Sequence, residues 1–370
     1  MTDQPAPAVV IAGGGTGGHL YPGIAVAREF LRRFPEARVT FAGTARGLEA
    51  RVVPREGFEL DTIRSAGLKG KALASRVRGA WLLVPGALDA WRLLTRRRPD
   101  VVIGVGGYSA GPVVLLAALR GIPTMVLEQN AVPGLTNRLL WRWVRAAAVT
   151  YERTLPFFHG KGFVSGNPVR AEFFFAATSN FELRASNFDR LLILGGSQGA
   201  HAINVAVVAA APELVRARAG LQIVHQTGER DLAATREGYR VAGVAARAEP
   251  FLDAVAGEMS AADLVICRAG ATTLAELAAS GRPAVLIPFP GAADDHQRKN
   301  ARVLVDAGAA EMIDQRELSG RGLAALVGRL LDDRTRLAAM SRAMASFARP
   351  EAARVIVDRA LAFTRAGGRC

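Results

Sequence analysis

Short apolar runs punctuate the chain at residues 9–12, 39–42, 101–105, 124–127, 146–150 and 163–165. They are rich in valine and isoleucine and do not alternate with polar residues, as expected of strands buried on both faces. Between them, apolar positions recur every three or four residues, the period of covering helices. That alternation predicts a parallel sheet with helices packed on it. The pattern pauses at Gly166-Asn167-Pro168 and restarts with runs at 191–194, 221–225, 264–267 and 284–287. The expected fold is therefore α/β, with two Rossmann-like, doubly wound units. Residues 171–189, including Phe173-Phe174-Phe175, keep neither period and read as a linker or surface excursion. From residue 323 to 366 the chain is alanine-rich and helical, with Pro350 starting the last helix. Ligands of such sheets bind at the carboxyl ends of the strands, so a cleft between two facing units is the expected site.

The first apolar run leads straight into IAGGGTGGHLYP, residues 11–22, where Gly13, Gly15 and Gly18 fit G-x-G-x-x-G. Such a turn lets a phosphate-bearing ligand approach backbone amides at the start of a helix, where the dipole favours negative charge. His19 sits in the first turn of that helix, where a side chain can face a ligand. The competing reading is a plain tight turn capped by a histidine. A nicotinamide site would place an acid at the end of the second strand. Here that strand runs into Gly43-Thr44-Ala45, with no acid at its end. The second half carries its own glycine-rich turn, residues 195–199, with His201 just beyond it.

Further strand-end loops are rich in small polar residues: 106–111, 128–130, 268–273 and 288–291. They offer N–H donors to phosphates and side chains to sugar hydroxyls. Glu276 lies one helical turn after Thr272, placed for two vicinal hydroxyls of a ribose or, equally, for a helix-dipole role. Asp295, His296 and Gln297 open another helix within reach of sugar hydroxyls, or form a solvated first turn. No two aspartates are spaced D-x-D, so a metal–diphosphate clamp of that kind is not expected. His159 and His225 show no polar company in the sequence.

Residues 69–98 combine an apolar face with a basic border. Leu73, Val77, Trp81, Val84, Leu88 and Trp91 recur at helical spacing, with a break expected at Pro85. Lys69, Lys71, Arg76, Arg78, Arg92 and Arg96-Arg97-Arg98 flank them. That is the pattern of a membrane-surface segment, with Val77, Trp81 and Val84 entering the interface. A covering helix whose stripe is core is the alternative, and a stripe partly core and partly exposed is expected.

The length of 370 residues favours two domains. A net charge of +14 suits an anionic partner: a nucleotide, a nucleic acid or an acidic membrane surface. The two cysteines, Cys267 and Cys370, form no disulfide framework or metal spacing. The amino terminus lacks the pattern of a signal peptide, and no apolar run is long enough to span a bilayer. A soluble or peripheral protein is expected.

The segments GGGTGGHLYPGIAVA, GGYSAGPVVLLA, EQNAVPGLTNRLL, GNPVR, GGSQGA and CRAGATTLAE, followed by DDHQRKNA, resemble the MurG family. The resemblance runs in order from residue 9 to 309. It implies a GT-B glycosyltransferase fold. Residues 1–166 would form an acceptor- and membrane-associating domain and residues 167–345 a UDP-N-acetylglucosamine domain. Residues 346–370 would form a helix packing back on the first. It implies inverting transfer of N-acetylglucosamine from UDP-N-acetylglucosamine to the C4 hydroxyl of the muramoyl sugar in lipid I, giving lipid II and UDP. The expected setting is the cytoplasmic face of the bacterial inner membrane, held peripherally. The implied partners are lipid I, an anionic membrane surface and cell-wall and division proteins, with no nucleic acid, no cofactor and no metal. Carried over by motif, Thr16, Gly17, Gly18, Asn130, Arg170, Ser197, Leu252, Ala271, Thr272, Thr273, Leu274, Ala275, Glu276, His296 and Gln297 fall on donor-contact positions. Where many members carry two glutamines, this chain has His296 before Gln297. His19 matches the proposed general base, with Glu128 as its helper.

Overall fold

The computed structural model describes residues 6–65, 83–174, 189–196 and 199–366. They belong to two compact units: Met1–Arg170 with Arg349–Cys370, and Ala171–Ala348.

The first unit is built on a parallel sheet in the order β3-β2-β1-β4-β5-β6-β7. Its strands are β1 Ala8–Gly13, β2 Arg38–Gly43, β3 Glu59–Thr62, β4 Val101–Gly106, β5 Thr124–Glu128, β6 Ala146–Val149 and β7 Gly162–Val164. In β1, Val9 pairs with Val39 and Val101, and Ile11 with Phe41 and Ile103. Successive residues of a strand face opposite sides, so β1 feeds two cores. Val9 and Ile11 pack with Ile24 and Phe30 of helix Gly17–Arg33 and with Ile356, Val357, Ala360 and Leu361 of helix Ala352–Ala366. Val10 and Ala12 pack with Ala90, Leu93 and Leu94 of helix Leu83–Arg97 and with Val113, Val114 and Ala117 of helix Ala110–Leu119.

The second unit repeats the plan in the order β10-β9-β8-β11-β12-β13. Here β8 is Arg190–Leu194, β9 Gln222–Gln226, β10 Arg247–Glu249, β11 Leu264–Cys267, β12 Ala284–Leu286 and β13 Ala310–Met312. Leu191 and Ile193 pack under helices His201–Ala217 and Gly320–Asp332. In both sheets the chain reverses its direction of winding at the first strand, between β1 and β4 and between β8 and β11. That switch point is where α/β sheets receive ligands.

Three strands escape the apolar-run reading: β3 (ELDT), β10 (RAE) and β13 (AEM). All lie at sheet edges, where a strand has one neighbour and needs less apolar surface. Pro85 does not break the described helix Leu83–Arg97. The helix runs on from it without interruption to Arg97.

Candidate active site

In the first unit β1 ends at Gly13, with φ near +143°. A Cβ there would lie 2.3 Å from the carbonyl oxygen of Gly106 at the end of β4, so only glycine lets the two strand ends meet this closely. Gly14 N–H donates to that carbonyl at 3.3 Å. Thr16, exposed, occupies the N-cap position of helix Gly17–Arg33 without a side-chain capping bond, and Gly17 and Gly18 are half-buried at its positive end. The His19 ring rests on Gly106, where a Cβ would fall 2.8 Å from its Cδ2. Its Nδ1 lies 3.4 Å from both the Gly14 carbonyl oxygen and the Thr16 hydroxyl. With Nδ1–H donating to that carbonyl, Nε2 is the basic nitrogen.

Glu128, at the end of β5, is only 3% exposed. Its carboxylate accepts from Asn130 N at 3.0 Å, Asn130 Nδ2 at 3.2 Å, Gly134 N at 3.0 Å and Asn137 Nδ2 at 2.9 Å. Burial pushes its pKa up, and these donors offset the rise only in part. The geometry thus sets Glu128 inside its loop, holding Asn130. The Arg170 guanidinium stacks 5.1 Å above the Tyr21 ring.

The sequence reading also passes over an acid in this unit. No acid ends β2 itself, yet Glu49, from the next helix, brings its carboxylate there and bonds Gly15 and Thr44. A carboxylate with no exposed surface and these donors on it is not offered to a ribose.

In the second unit β8 leads into Gly195-Gly196. Gly195 N donates to Gln226 O and Gly199 N to Gly196 O, both at 3.1 Å. The side chain of Gln226, not foreseen from the sequence, donates to Gly196 O at 3.0 Å and accepts from Leu252 N at 3.3 Å. It therefore joins the glycine turn to the segment carrying Leu252. Ser197 lies outside the described residues. Helix Ala271–Ser280 begins after Gly270. Ala271, Thr272 and Leu274 are buried, which leaves the backbone as their route to a ligand; Thr273, Ala275 and Glu276 are half-buried. Arg268 braces the neighbouring loop, donating to Ile287 O at 3.0 Å and Gln315 Oε1 at 2.7 Å, with Phe289 stacked at 5.4 Å. Gln297 Oε1 accepts from Phe289 N at 2.9 Å, and His296 Nδ1–H donates to Ala293 O at 2.8 Å. Each thus keeps its Nε2 side for another partner. The preceding Asp294 and Asp295 are exposed at φ of 53° and 54°, a left-handed conformation in place of a solvated helical turn.

His225 has more polar company than the sequence suggests. Its Nε2–H donates to Asn204 Oδ1 at 3.0 Å, and Nδ1 accepts from Tyr239 OH at 2.9 Å. Asn204 in turn donates to Thr227 O and Asp231 Oδ2, each at 2.9 Å, and His201 Nδ1 meets Asp231 at 3.1 Å. The network is structural and fixes the helix that follows the glycine turn. Among the described residues no group of three His, Cys, Asp or Glu side chains is placed to hold a metal ion. No described helix is long and apolar enough to cross a membrane.

Residues 9–149 match the glycosyltransferase family 28 N-terminal domain, and residues 190–356 its C-terminal domain. The chain is 49% identical, over 95% of its length and 91% of the relative's, to a UDP-N-acetylglucosamine–N-acetylmuramyl-(pentapeptide) pyrophosphoryl-undecaprenol N-acetylglucosamine transferase of Anaeromyxobacter sp. (strain K). The crystal structure of Acinetobacter baumannii MurG superposes with a TM-score of 0.78 at 32% identity, covering 96% of this chain and 99% of that one. A UDP-GlcNAc 2-epimerase from Neisseria meningitidis matches at 14% identity and a TM-score of 0.68, over 96% of this chain and 99% of that one, and shares the fold alone.

Proposed function

We propose that this chain, which belongs to glycosyltransferase family 28 and within it to the MurG group, transfers N-acetylglucosamine from UDP-N-acetylglucosamine to lipid I. The products are lipid II and UDP. One observation carries the reading: the 49% identity spans 95% of the chain, so the motifs of both units are present in one order.

The second unit holds the donor. Glu276, half-buried in the first turns of helix Ala271–Ser280, takes the ribose hydroxyls, and the backbone from Ala271 to Ala275 lines the nucleotide. The glycine turn after β8 and the helix start present N–H groups and a positive dipole end to the diphosphate. His296 and Gln297 face the sugar. The first unit supplies the base. His19 Nε2 removes the proton of the acceptor's C4 hydroxyl as that oxygen attacks C1 of the sugar. The bond from C1 to the diphosphate oxygen breaks with inversion, and UDP leaves with the electron pair. Thr16, Gly17, Gly18, Asn130 and Arg170 are the donor-contact positions of that unit, and Glu128 positions Asn130. Ser197 belongs to the second turn.

The acceptor's lipid tail requires the enzyme at a bilayer. Leu88 and Trp91, both about half exposed on helix Leu83–Arg97, support docking at an anionic membrane surface on the cytoplasmic side. Val77 and Trp81 lie outside the described residues, as does the side chain of Val84. The deciding experiment is transfer of radiolabelled sugar from UDP-N-acetylglucosamine to a lipid I analogue. Label in a lipid-linked disaccharide supports the reading. Conversion of UDP-N-acetylglucosamine without acceptor would make the protein an epimerase instead.

A further inference from the structure

Glu49 opens the short helix Glu49–Arg55, and its side chain has no exposed surface. One carboxylate oxygen accepts from Gly15 N at 2.7 Å. The other accepts from both the amide and the hydroxyl of Thr44, each at 2.8 Å. Gly14, Gly43 and Gly47 enclose the group so tightly that a Cβ on them would lie 2.5, 2.6 and 2.2 Å from Glu49 atoms. Burial pushes the carboxyl upward, but the N–H donors of Gly15 and Thr44 outweigh it and hold the pKa below the usual range. The residue is an anion inside the protein.

A buried anion is costly unless donors compensate it. A leucine would fill space without that demand, so the donors explain the choice of residue. The donors belong to a backbone that needs restraint. Gly14 and Gly15 have φ of 150° and 85°, in a region where glycine moves freely. The Gly14 carbonyl is also the partner of His19 Nδ1 at 3.4 Å. A continuous line of contacts therefore runs from Glu49 through the Gly14–Gly15 peptide to the imidazole. The same carboxylate consumes the Gly15 amide and sets negative charge behind the turn. That amide is thereby withheld from a phosphate, although the sequence of the turn suggests a phosphate cradle.

We propose that Glu49 is a positioning residue for the transfer reaction: by clamping the Gly14–Gly15 turn it fixes the carbonyl that holds Nδ1 of His19, and so presents Nε2 as proton acceptor. The proposal rests on the reading of His19 as the base. It differs from a role in general stability, because its effect passes through one side chain.

The test is Glu49→Gln alone and combined with His19→Ala, assayed for sugar transfer to a lipid I analogue. Thermal melting and calorimetry with UDP serve as controls of folding. Glutamine keeps the size but places an amide NH₂ against one of the N–H donors, so the clamp fails on one side. Misplacing a catalytic group by about 1 Å costs on the order of 100-fold. The expected result is a fall in kcat of about 10–100-fold, with KM for UDP-N-acetylglucosamine and UDP affinity within about twofold. Residues acting as a unit are non-additive, so no further fall is expected on the His19→Ala background. An equal fall on both backgrounds, or wild-type kcat in Glu49→Gln, overturns the proposal. Near-normal turnover in His19→Ala overturns the base assignment and this proposal with it, whereas a wild-type protein that transfers no sugar overturns the activity itself. If Glu49→Gln does not fold, Thr44→Val removes one of the bonds at equal volume. A loss of about threefold that vanishes on the His19→Ala background then supports the clamp, and a loss equal on both backgrounds refutes it.

Discussion

The glycine-rich turn after β1 is held from behind by a carboxylate, Glu49, whereas the turn after β8 is held by an amide, Gln226. Both follow the first strand of a parallel sheet at the point where strand order reverses. The carboxylate takes up Gly15 N–H and leaves negative charge behind the turn that carries His19. The amide donates to a carbonyl, Gly196 O, and adds no charge behind a turn proposed to receive a diphosphate. Duplicated topology thus places two glycine-rich turns, and the residue packed behind each one differs in charge.

The comparison breaks most sharply at His19. His19→Ala is expected to lower turnover by roughly 10²–10⁴, with UDP affinity changing far less, because the nucleotide contacts proposed for the second unit are untouched. Steady-state kinetics and calorimetry on one preparation test both halves of the statement. A parallel loss of turnover and UDP affinity would mean that His19 itself holds the nucleotide rather than acting as the base.

The second unit has its own histidine, in a role unlike that of His19. Burial pushes the pKa of His225 down to about 4, while an unfolded imidazole titrates near 6.5. The folded pKa is depressed, so the stability is present in full above pH 6.5 and is lost as pH falls towards 4. The loss amounts to roughly 3 kcal/mol. Melting temperatures of wild type and His225→Gln, taken from pH 7 to 4.5, should converge as the wild type loses this advantage. Parallel curves would place the acid sensitivity elsewhere.

These contrasts show what a linear reading reaches. Runs such as Val9-Val10-Ile11-Ala12 announce central strands because burial on both faces demands continuous apolar residues. Edge strands such as β10, with Arg-Ala-Glu, leave no such trace. His19 and Glu276 stand out because each lies in a turn of helix beside a recognisable loop. Glu49 does not, since its carboxylate reaches Gly15 only when the end of β2 closes on that of β1. Gln226 likewise gains its role from partners at Gly196 and Leu252, far apart in sequence. For Glu128 the residue is legible and its partners are not, because four converging donors and near-complete burial are tertiary facts. His225 shows the same limit, its Tyr239 and Asn204 partners being brought by helices.

A smaller effect is expected at Glu276, which sharpens the donor half. Its charge is felt at the strand end beside it: burial first, then Glu276, pushes the Cys267 thiol up to about 12. Glu276→Ala is expected to lose the charge-assisted hydrogen bond proposed to the ribose, roughly 1.5–3 kcal/mol in UDP binding. Calorimetry with UDP measures it directly. Unchanged affinity in a folded variant would remove Glu276 from the nucleotide site and weaken the division of labour between the two turns.

The smallest effect concerns the membrane attachment proposed for the first unit. On helix Leu83–Arg97 the stripe divides: Ala90, Leu93 and Leu94 are core, while Leu88 and Trp91 are 51% and 52% exposed. Leu119, 58% exposed, follows on the neighbouring helix, and Arg120 stacks its guanidinium 4.6 Å above Trp91. Exposed Arg92 and Arg96 share this helix. An amphipathic face bordered by arginines binds a bilayer through apolar burial together with attraction to anionic lipid. Half of a tryptophan side chain is about 100 Å². At about 25 cal/mol per Å², its full burial contributes up to roughly 2.5 kcal/mol. Trp91→Ser should therefore weaken partitioning onto anionic vesicles by about tenfold. Turnover on a short-chain, water-soluble acceptor should stay unchanged, because Trp91 touches neither turn. Salt should weaken the wild type further by screening the arginines, and leave the apolar contribution in place. If Trp91→Ser sediments with anionic vesicles as fully as the wild type at every salt concentration, this exposed face does not carry the attachment.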